Sequence, residues 1–140
     1  MGSVEPKPES VEALLAAAEE DGPIIMINLL RYRERAAYPE GFDAEPCSGR
    51  EAYARYSAVA MQTLAGVGAR PLWLGAVQAT VIAPQGESWD DAILVEYPSR
   101  KAFVDMVTSE KYQSGAPHRT AALEDSRLIA TTQVANLFGS

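Results

Sequence analysis

Hydrophobic and polar positions along the chain follow two different periods, which together predict an α+β domain. Apolar residues recur at helical spacing within residues 10–22, with Ser10 as the expected N-cap and Gly22 as the expected stop. The next stretch, "IIMINLLRY" over residues 24–32, is almost continuously apolar, which is typical of a strand buried on both faces. The pattern therefore begins with a helix and a buried strand.

The clearest helical pattern follows a loop that is rich in proline and charge. In "SGREAYARYSAVAMQTLAGVG", Ser48 and Glu51 form an S-x-x-E capping box, in which each side chain satisfies a backbone N–H near the other. Gly66 and Gly68 are placed where glycine ends helices. The second helix is thus predicted with both of its ends.

The remainder predicts a hairpin, a further helix and a last strand. The hairpin strands are predicted over residues 69–83 and 89–97, on either side of the turn "PQGES". Ser99 is expected to cap a short helix, a broken helical segment follows around residues 116–124, and residues 126–136 form the last strand. Without the first helix, the element order is βαββαβ.

This order is that of the ferredoxin-like fold, a four-stranded antiparallel sheet with both helices on one face. The predicted strands are apolar on both faces, and a bare apolar face would be a large exposed patch in water. We therefore expect a homodimer in which two sheets pack face to face. Residues 1–9 are expected to be a flexible leader and residues 10–140 a single domain.

The composition is that of a globular protein, since 47% of the 140 residues are apolar and 22% are charged. The formal net charge is -7, and the sequence lacks the Lys/Arg clusters that nucleic acid or an anionic membrane surface would attract. We expect neither of them as a partner. Because the chain shows no signal peptide and no apolar run long enough to span a bilayer, we expect a cytoplasmic protein.

Cys47 is the only cysteine, which excludes an internal disulfide and a thiolate metal cluster. It stands just before a helix, whose N-terminus can lower the pKa of a thiol, so Cys47 is either a reactive thiol or a spare loop cysteine. The sequence also shows no spaced group of metal ligands and no glycine loop in the context that phosphate binding requires. We expect no metal and no cofactor.

Four segments together resemble the family called domain of unknown function 1330. They are "PIIMINLLRYR", "SGREAYARYS", "WDDAILVEYPSRKAFVDMV" and "YQSGAPHRTAALEDSRLIAT", and the resemblance covers residues 10–132. It implies the ferredoxin-like fold and the dimer of the dimeric α/β-barrel superfamily. That superfamily includes cofactor-free monooxygenases of aromatic polyketides, muconolactone isomerase, haem-binding chlorite dismutase and stress-associated proteins. The resemblance therefore implies a fold and selects no activity.

Two polar residues interrupt the first strand and are candidate ligand contacts, because a buried polar group is costly unless it is paired. Asn28 either orients a ligand carbonyl or makes a structural hydrogen bond. Arg31 either binds a carboxylate of a ligand or pairs across the sheet with Asp90 or Glu96.

Two titratable residues are candidate catalytic groups. Glu96 lies in "ILVEYP"; inside a cavity it would act as a general acid or base, whereas at a strand end it would be a solvated carboxylate. His118 is the only histidine, and residues 117–120 are predicted to be the first turn of a helix, where the helix dipole favours neutral imidazole. It is either a catalytic base or a capping or surface residue.

Trp73 and Trp89, on the predicted hairpin, are either walls of a pocket for a flat organic ligand or ordinary core and interface residues. The sequence therefore predicts a homodimer with a small-molecule pocket. One interpretation is a cofactor-independent enzyme, such as an isomerase, cyclase or monooxygenase, that acts on a hydrophobic organic acid or an aromatic metabolite. The alternative is a non-enzymatic ligand-binding or stress-related dimer.

Overall fold

A computed structural model describes residues 2–16, 22–135 and 137 of the chain. The described residues form four helices and four strands. In chain order these are α1 (Pro8–Ala16), β1 (Ile24–Tyr32), α2 (Gly49–Gly66), β2 (Arg70–Ala76), β3 (Asp91–Tyr97), α3 (Arg100–Val107), α4 (Glu110–Ala122) and β4 (Leu123–Thr131). No helix within these residues is long and apolar enough to cross a membrane.

The strands form one sheet in the order β2-β3-β1-β4, and all three neighbouring pairs are antiparallel. The predicted ferredoxin-like α+β fold is therefore confirmed. Ile24, Met26 and Val95 point from the sheet towards the helices and form one core cluster with Phe103 and Met106 of α3. A second cluster, around Leu30 and Leu123, contains Cys47, whose thiol is buried in the core.

The start of α2 agrees with the sequence prediction. The Ser48 side chain accepts a hydrogen bond from the Glu51 backbone N–H, and the Glu51 carboxylate accepts one from the Ser48 backbone N–H. The predicted capping box is confirmed. The first helix differs, because α1 begins at Pro8 and Ser10 lies inside it, so the prediction of Ser10 as N-cap is wrong. The stretch before the predicted stop at Gly22 includes residues 17–21, which lie outside the described part of the chain.

Strand ends were predicted less well than strand identities. The strand predicted over residues 69–83 stops at Ala76, and the apolar side chains of Val81 and Ile82 are 89% and 94% exposed. β4 begins at Leu123 rather than at residue 126 and ends at Thr131. Apolar character predicted the presence of these strands, but it did not identify where their hydrogen-bond ladders end.

The face of the sheet opposite the helices carries apolar side chains from all four strands. Strand register places Ile27 beside Leu94 and Ile129, and Trp73 beside Leu94. Trp73 and Ile129 are each 49% exposed. We call this surface the open sheet face.

Gly49 lies where α2 meets the end of β1 and the end of α4. A Cβ atom there would overlap the carbonyl oxygen of Arg33 and lie 2.7 Å from that of Ala122, and the Gly49 N–H donates to Arg33 O at 3.1 Å. Only glycine allows this approach of three backbone segments.

We predict that Gly49→Ala lowers the free energy of unfolding by about 1–3 kcal/mol, because overpacking at rigid backbone forces the segments apart. Gly66→Ala is the matched control in the same helix, since a Cβ at Gly66 meets no atom within 4 Å. It should leave stability unchanged or raise it by up to about 1 kcal/mol. Urea unfolding of both variants measures the difference, and equal stabilities would contradict this account of Gly49.

Candidate functional site

A cavity of about 580 Å³ lies between the helix-covered face of the sheet and the helices. Its floor includes Met26 and Asn28 of β1, and its walls include Phe103 of α3 and Tyr56 of α2. Its volume is in the range of small-molecule sites, which are mostly apolar with a few polar groups. The polar groups therefore define the chemistry that this cavity can perform.

Arg119 of α4 carries a positive charge on the cavity wall. Its guanidinium donates to the carbonyl of Val4 at 2.5 Å and lies beside the hydroxyl of Tyr53, with which it interacts electrostatically. Among the residues that the structure describes, none of the carboxylates forms an ion pair with Arg119. Because a guanidinium has five N–H donors, these two contacts leave donors for a ligand.

Three tyrosines surround this charge. The hydroxyls of Tyr56 and Tyr112 are 3.0 Å apart, and the two rings meet edge to face. Burial raises the pKa of Tyr53 to about 12 and raises the pKa of Tyr56 still further. At neutral pH both phenols stay protonated, so the site offers hydrogen-bond donors to an oxygen-rich ligand.

Residues 3–7, which we call the strap, cross the cavity before α1 begins. Besides the bond from Arg119 to Val4, the Thr120 hydroxyl donates to the Glu5 carboxylate at 3.2 Å. The Ser126 hydroxyl donates to the Ser3 carbonyl at 2.7 Å. None of the nine residues of α1 is buried, so the strap and α1 cover the cavity through few contacts.

A smaller cavity of about 100 Å³ shares four lining residues with the main one: Asn28, Tyr56, Tyr97 and Met106. Of the residues predicted from sequence to contact a ligand, Asn28 alone lines either of these cavities. Its amide makes no hydrogen bond to the side chains or backbone of the described residues.

Three other sequence candidates lie on the open sheet face. Arg31 forms an ion pair with Glu124 at 3.2 Å, and Glu96 forms one with Arg70 at 3.1 Å. The alternative in which Arg31 pairs across the sheet with Asp90 or Glu96 is therefore wrong. Trp73 packs over Gly75 on the same face. The structure does not bring these three side chains together with Asn28.

Trp89 lies elsewhere, buried under the Arg127 side chain, whose guanidinium carbon is 5.0 Å from the centre of the Trp89 ring. Arg127 is in turn paired with Glu87 at 3.2 Å and Asp125 at 2.8 Å. The tryptophan is thus a core residue beneath an ion-pair network in this chain.

His118 lies in the second half of α4, because the helix begins at Glu110 and continues through Pro117. The prediction that residues 117–120 form a first turn is wrong. The Tyr38 hydroxyl is 2.7 Å from His118 Nδ1, and Arg55 donates to the same hydroxyl at 3.2 Å. Since Arg55 occupies the phenol oxygen as acceptor, we assign Tyr38 as the donor to a neutral imidazole. The hydrogen bond between Tyr38 and His118 thereby links α4 to the loop that contains Tyr38.

Sequence reasoning missed Arg119 and Tyr112 as site residues. They are seven positions apart on α4, which places them on one side of the helix two turns apart. This spacing was hidden because Pro117 was interpreted as a helix start. Among the described residues, no group of three or more His, Cys, Asp or Glu side chains is placed to hold a metal ion.

Comparisons with known proteins concern family and fold. The family model described as "Domain of unknown function (DUF1330)" matches residues 47–133. A protein of unknown function from Rhodopseudomonas palustris is 39% identical over 97% of this chain and 100% of that chain, with a TM-score of 0.86. No curated protein matches the chain closely enough to count as a relative.

More distant solved structures share the fold alone. One is described as a dimeric protein of unknown function with a ferredoxin-like fold from Bacteroides fragilis. It is 14% identical over 78% of this chain and 94% of that chain, with a TM-score of 0.50. Another is a hydroxynitrile lyase from Passiflora edulis, 10% identical over 82% of this chain and 97% of that chain, with a TM-score of 0.54.

We predict that His118 makes stability depend on pH. Burial, followed by the nearby Arg55 charge, lowers the pKa of His118 below its usual 6.5, so the unfolded chain binds the proton more readily. This contribution to stability is therefore complete above the unfolded pKa and is lost as the pH falls through 6.5 towards the lower folded value. Urea unfolding between about pH 8 and pH 5 measures it. His118→Asn, which keeps an acceptor near Nδ1 but does not titrate, should show a smaller slope; identical slopes would refute the assignment.

Proposed function

The chain belongs to the family called domain of unknown function 1330, and we propose that it binds a hydrophobic organic acid in the main cavity, with Arg119 as the carboxylate anchor. The observation that carries this proposal is a guanidinium on the wall of an apolar cavity without a carboxylate partner among the described residues. A bound carboxylate supplies that partner and accepts two parallel hydrogen bonds from the guanidinium.

The walls support an acid with a hydrophobic body. Phe103, Met106, Leu14 and Val107 line the cavity together with tyrosine rings. Burying apolar surface stabilises a complex by about 25 cal/mol per Å², which favours alkyl or aryl acids over small polar ones. The hydroxyl pair of Tyr56 and Tyr112 adds one donor for the second carboxylate oxygen, because the bond between the two hydroxyls uses only one of their two protons.

Catalysis on such an acid is a second candidate, because donors that converge on an oxygen can also stabilise an enolate. A distant structural neighbour of the same fold is a hydroxynitrile lyase. However, among the described residues of the cavity lining, Glu5 is the only carboxylate, and it already accepts a hydrogen bond from Thr120. The described lining thus offers no carboxylate without a hydrogen-bond partner to act as a general base. Binding without turnover is the better-supported function. Exchange of the α-proton of a bound acid with deuterium, followed by NMR, tests for the enzyme.

We predict that alkyl and aryl carboxylates such as octanoate and 2-naphthoate bind, and that their neutral amides bind more weakly. Arg119→Gln should weaken carboxylate binding about ten- to hundredfold, since a charge-assisted hydrogen bond contributes about 1.5–3 kcal/mol. Arg119→Lys keeps the charge but loses the two-pronged geometry, and should fall between wild type and Arg119→Gln. Isothermal titration calorimetry measures all three.

Arg31→Gln is the matched control, because sequence alone gives Arg31 the same role and the structure puts it on the open sheet face. It should bind acids as wild type does. Equal binding of acids and amides, or an Arg119→Gln variant with undiminished affinity, would reject the proposal. If only Arg31→Gln lost binding, the carboxylate would bind at Arg31 on the open sheet face instead of at Arg119.

We also propose that the open sheet face is covered by a second copy of the chain. Ile27, Leu94, Ile129 and Trp73 form a contiguous apolar surface there, and surfaces of that kind mark protein interfaces. The Bacteroides fragilis protein of the same fold is described as dimeric, which supports this proposal by analogy.

We predict that the wild-type chain has the mass of a dimer at micromolar concentration and that Ile129→Glu converts it to a monomer. A carboxylate in the middle of two packed apolar faces would be buried without a partner, which is costly. Val81→Glu is the control, because Val81 is 89% exposed and lies outside the sheet; it should stay dimeric. Light scattering gives the masses, and a wild-type mass of one chain would end the proposal.

A further inference from the structure

The smaller cavity adjoins the main one, and four residues line both of them. Asn28, Tyr56, Tyr97 and Met106 line both spaces. Tyr56 is held by Tyr112 and Tyr97 packs edge to face on Phe103, whereas Met106 is unbranched and has three rotatable bonds. Rotation of Met106 is thus the smallest change that joins the two spaces.

The smaller cavity has the character of a receptor for an apolar chain. The walls that belong to it alone include Ala60, Leu64, Ile93 and Val95. Its volume of about 100 Å³ is roughly that of three or four water molecules or methylene groups. An apolar group that enters this cavity would restore van der Waals contacts that these apolar walls lack.

Asn28 lies at the divide between the two spaces. Its amide is not hydrogen-bonded to any described residue, although it projects from the middle of a strand among apolar neighbours. A polar group in such a position is satisfied when a hydrogen-bonding partner arrives. The amide can donate to a carbonyl oxygen and can both donate to and accept from a hydroxyl.

We infer that the two cavities form one site for an oxygenated long-chain acid: the carboxylate at Arg119, a carbonyl or hydroxyl oxygen beside Asn28, and an apolar tail in the smaller cavity. The inference rests on the proposed function, because Arg119 holds the head of the ligand. It adds that affinity depends on tail length up to a limit set by Ala60, and on an oxygen atom in the middle of the chain.

The first experiment measures how binding affinity depends on the length of the ligand's apolar tail. Calorimetry with straight-chain carboxylates of increasing length should show wild-type affinity rising about fourfold per methylene group over the stretch that enters the smaller cavity. Ala60→Leu fills that cavity from α2 and should abolish the rise while leaving the affinity for the shortest acids within about twofold. Ser57→Leu fills it from a second, less buried position and serves if Ala60→Leu does not fold. Ala58→Leu, on the exposed side of the same helix, is the control and should behave as wild type.

The second experiment tests Asn28 with keto acids of one chain length that carry the ketone at successive carbons. One position should bind about three- to tenfold more tightly than the unsubstituted acid, the effect of one neutral hydrogen bond. Asn28→Leu should remove that preference, so that the keto acids of the series bind with affinities that no longer depend on the position of the ketone.

The outcomes separate this inference from the proposed function. If short acids bind through Arg119 but neither filling variant changes the length profile, the smaller cavity is not a tail site and the inference falls alone. If wild type shows no preference among the keto acids, the role of Asn28 falls. If acids of every length bind no better than their amides, the proposed function itself is wrong. A crystal structure with the tightest acid, showing its tail between Ala60 and Ile93 or elsewhere, decides the question even if both filling variants unfold.

Discussion

The close packing of α2 against α4 is the contact on which the site depends. At its centre Gly115 faces Val59, and a Cβ atom at residue 115 would lie 2.9 Å from the Val59 Cβ. The absence of that side chain lets the two helices approach, which brings the Tyr56 and Tyr112 hydroxyls within 3.0 Å and puts Arg119 against Tyr53. A larger residue at 115 would push α2 and α4 apart and separate the Tyr56 hydroxyl from that of Tyr112 before it disturbed the sheet.

The same contact explains how the chain tolerates a charge beside an apolar cavity. A guanidinium that is partly removed from water requires polar partners, and those of Arg119 are a backbone carbonyl and the nearby Tyr53 phenol rather than a carboxylate. Neutral acceptors stabilise the cation without neutralising its charge. The strap and α1 cover the cavity, and none of the nine residues of α1 is buried. The energetic cost of opening the cavity is therefore small.

The accuracy of the sequence predictions followed the range of the interactions involved. The capping box at Ser48 and the order of the strands depend on neighbours in sequence or on simple periodicity, and both were confirmed. The site depends on which helix faces meet, and that was lost when Pro117 was taken as a helix start, although α4 accommodates it in its interior. His118 is the only histidine in the sequence and contacts Tyr38, whereas Arg119, one position further on, lines the cavity.

Strand β1 illustrates why an almost continuously apolar sequence does not show which face of the strand lines the cavity. Asn28 points to the cavity, while Ile27 and Leu29 on either side of it point to the open sheet face. Under the proposed dimer, both sets of side chains are buried, one by helices of the same chain and one by another copy, so selection for burial removes the alternation that would tell the faces apart. Asn28, the polar residue in this run, therefore indicates which face lines the cavity. An unpaired amide in such a strand is stable only where solvent or a ligand can reach it. By the same logic Arg31, near the strand end where Glu124 is within reach, needs no ligand to satisfy its charge.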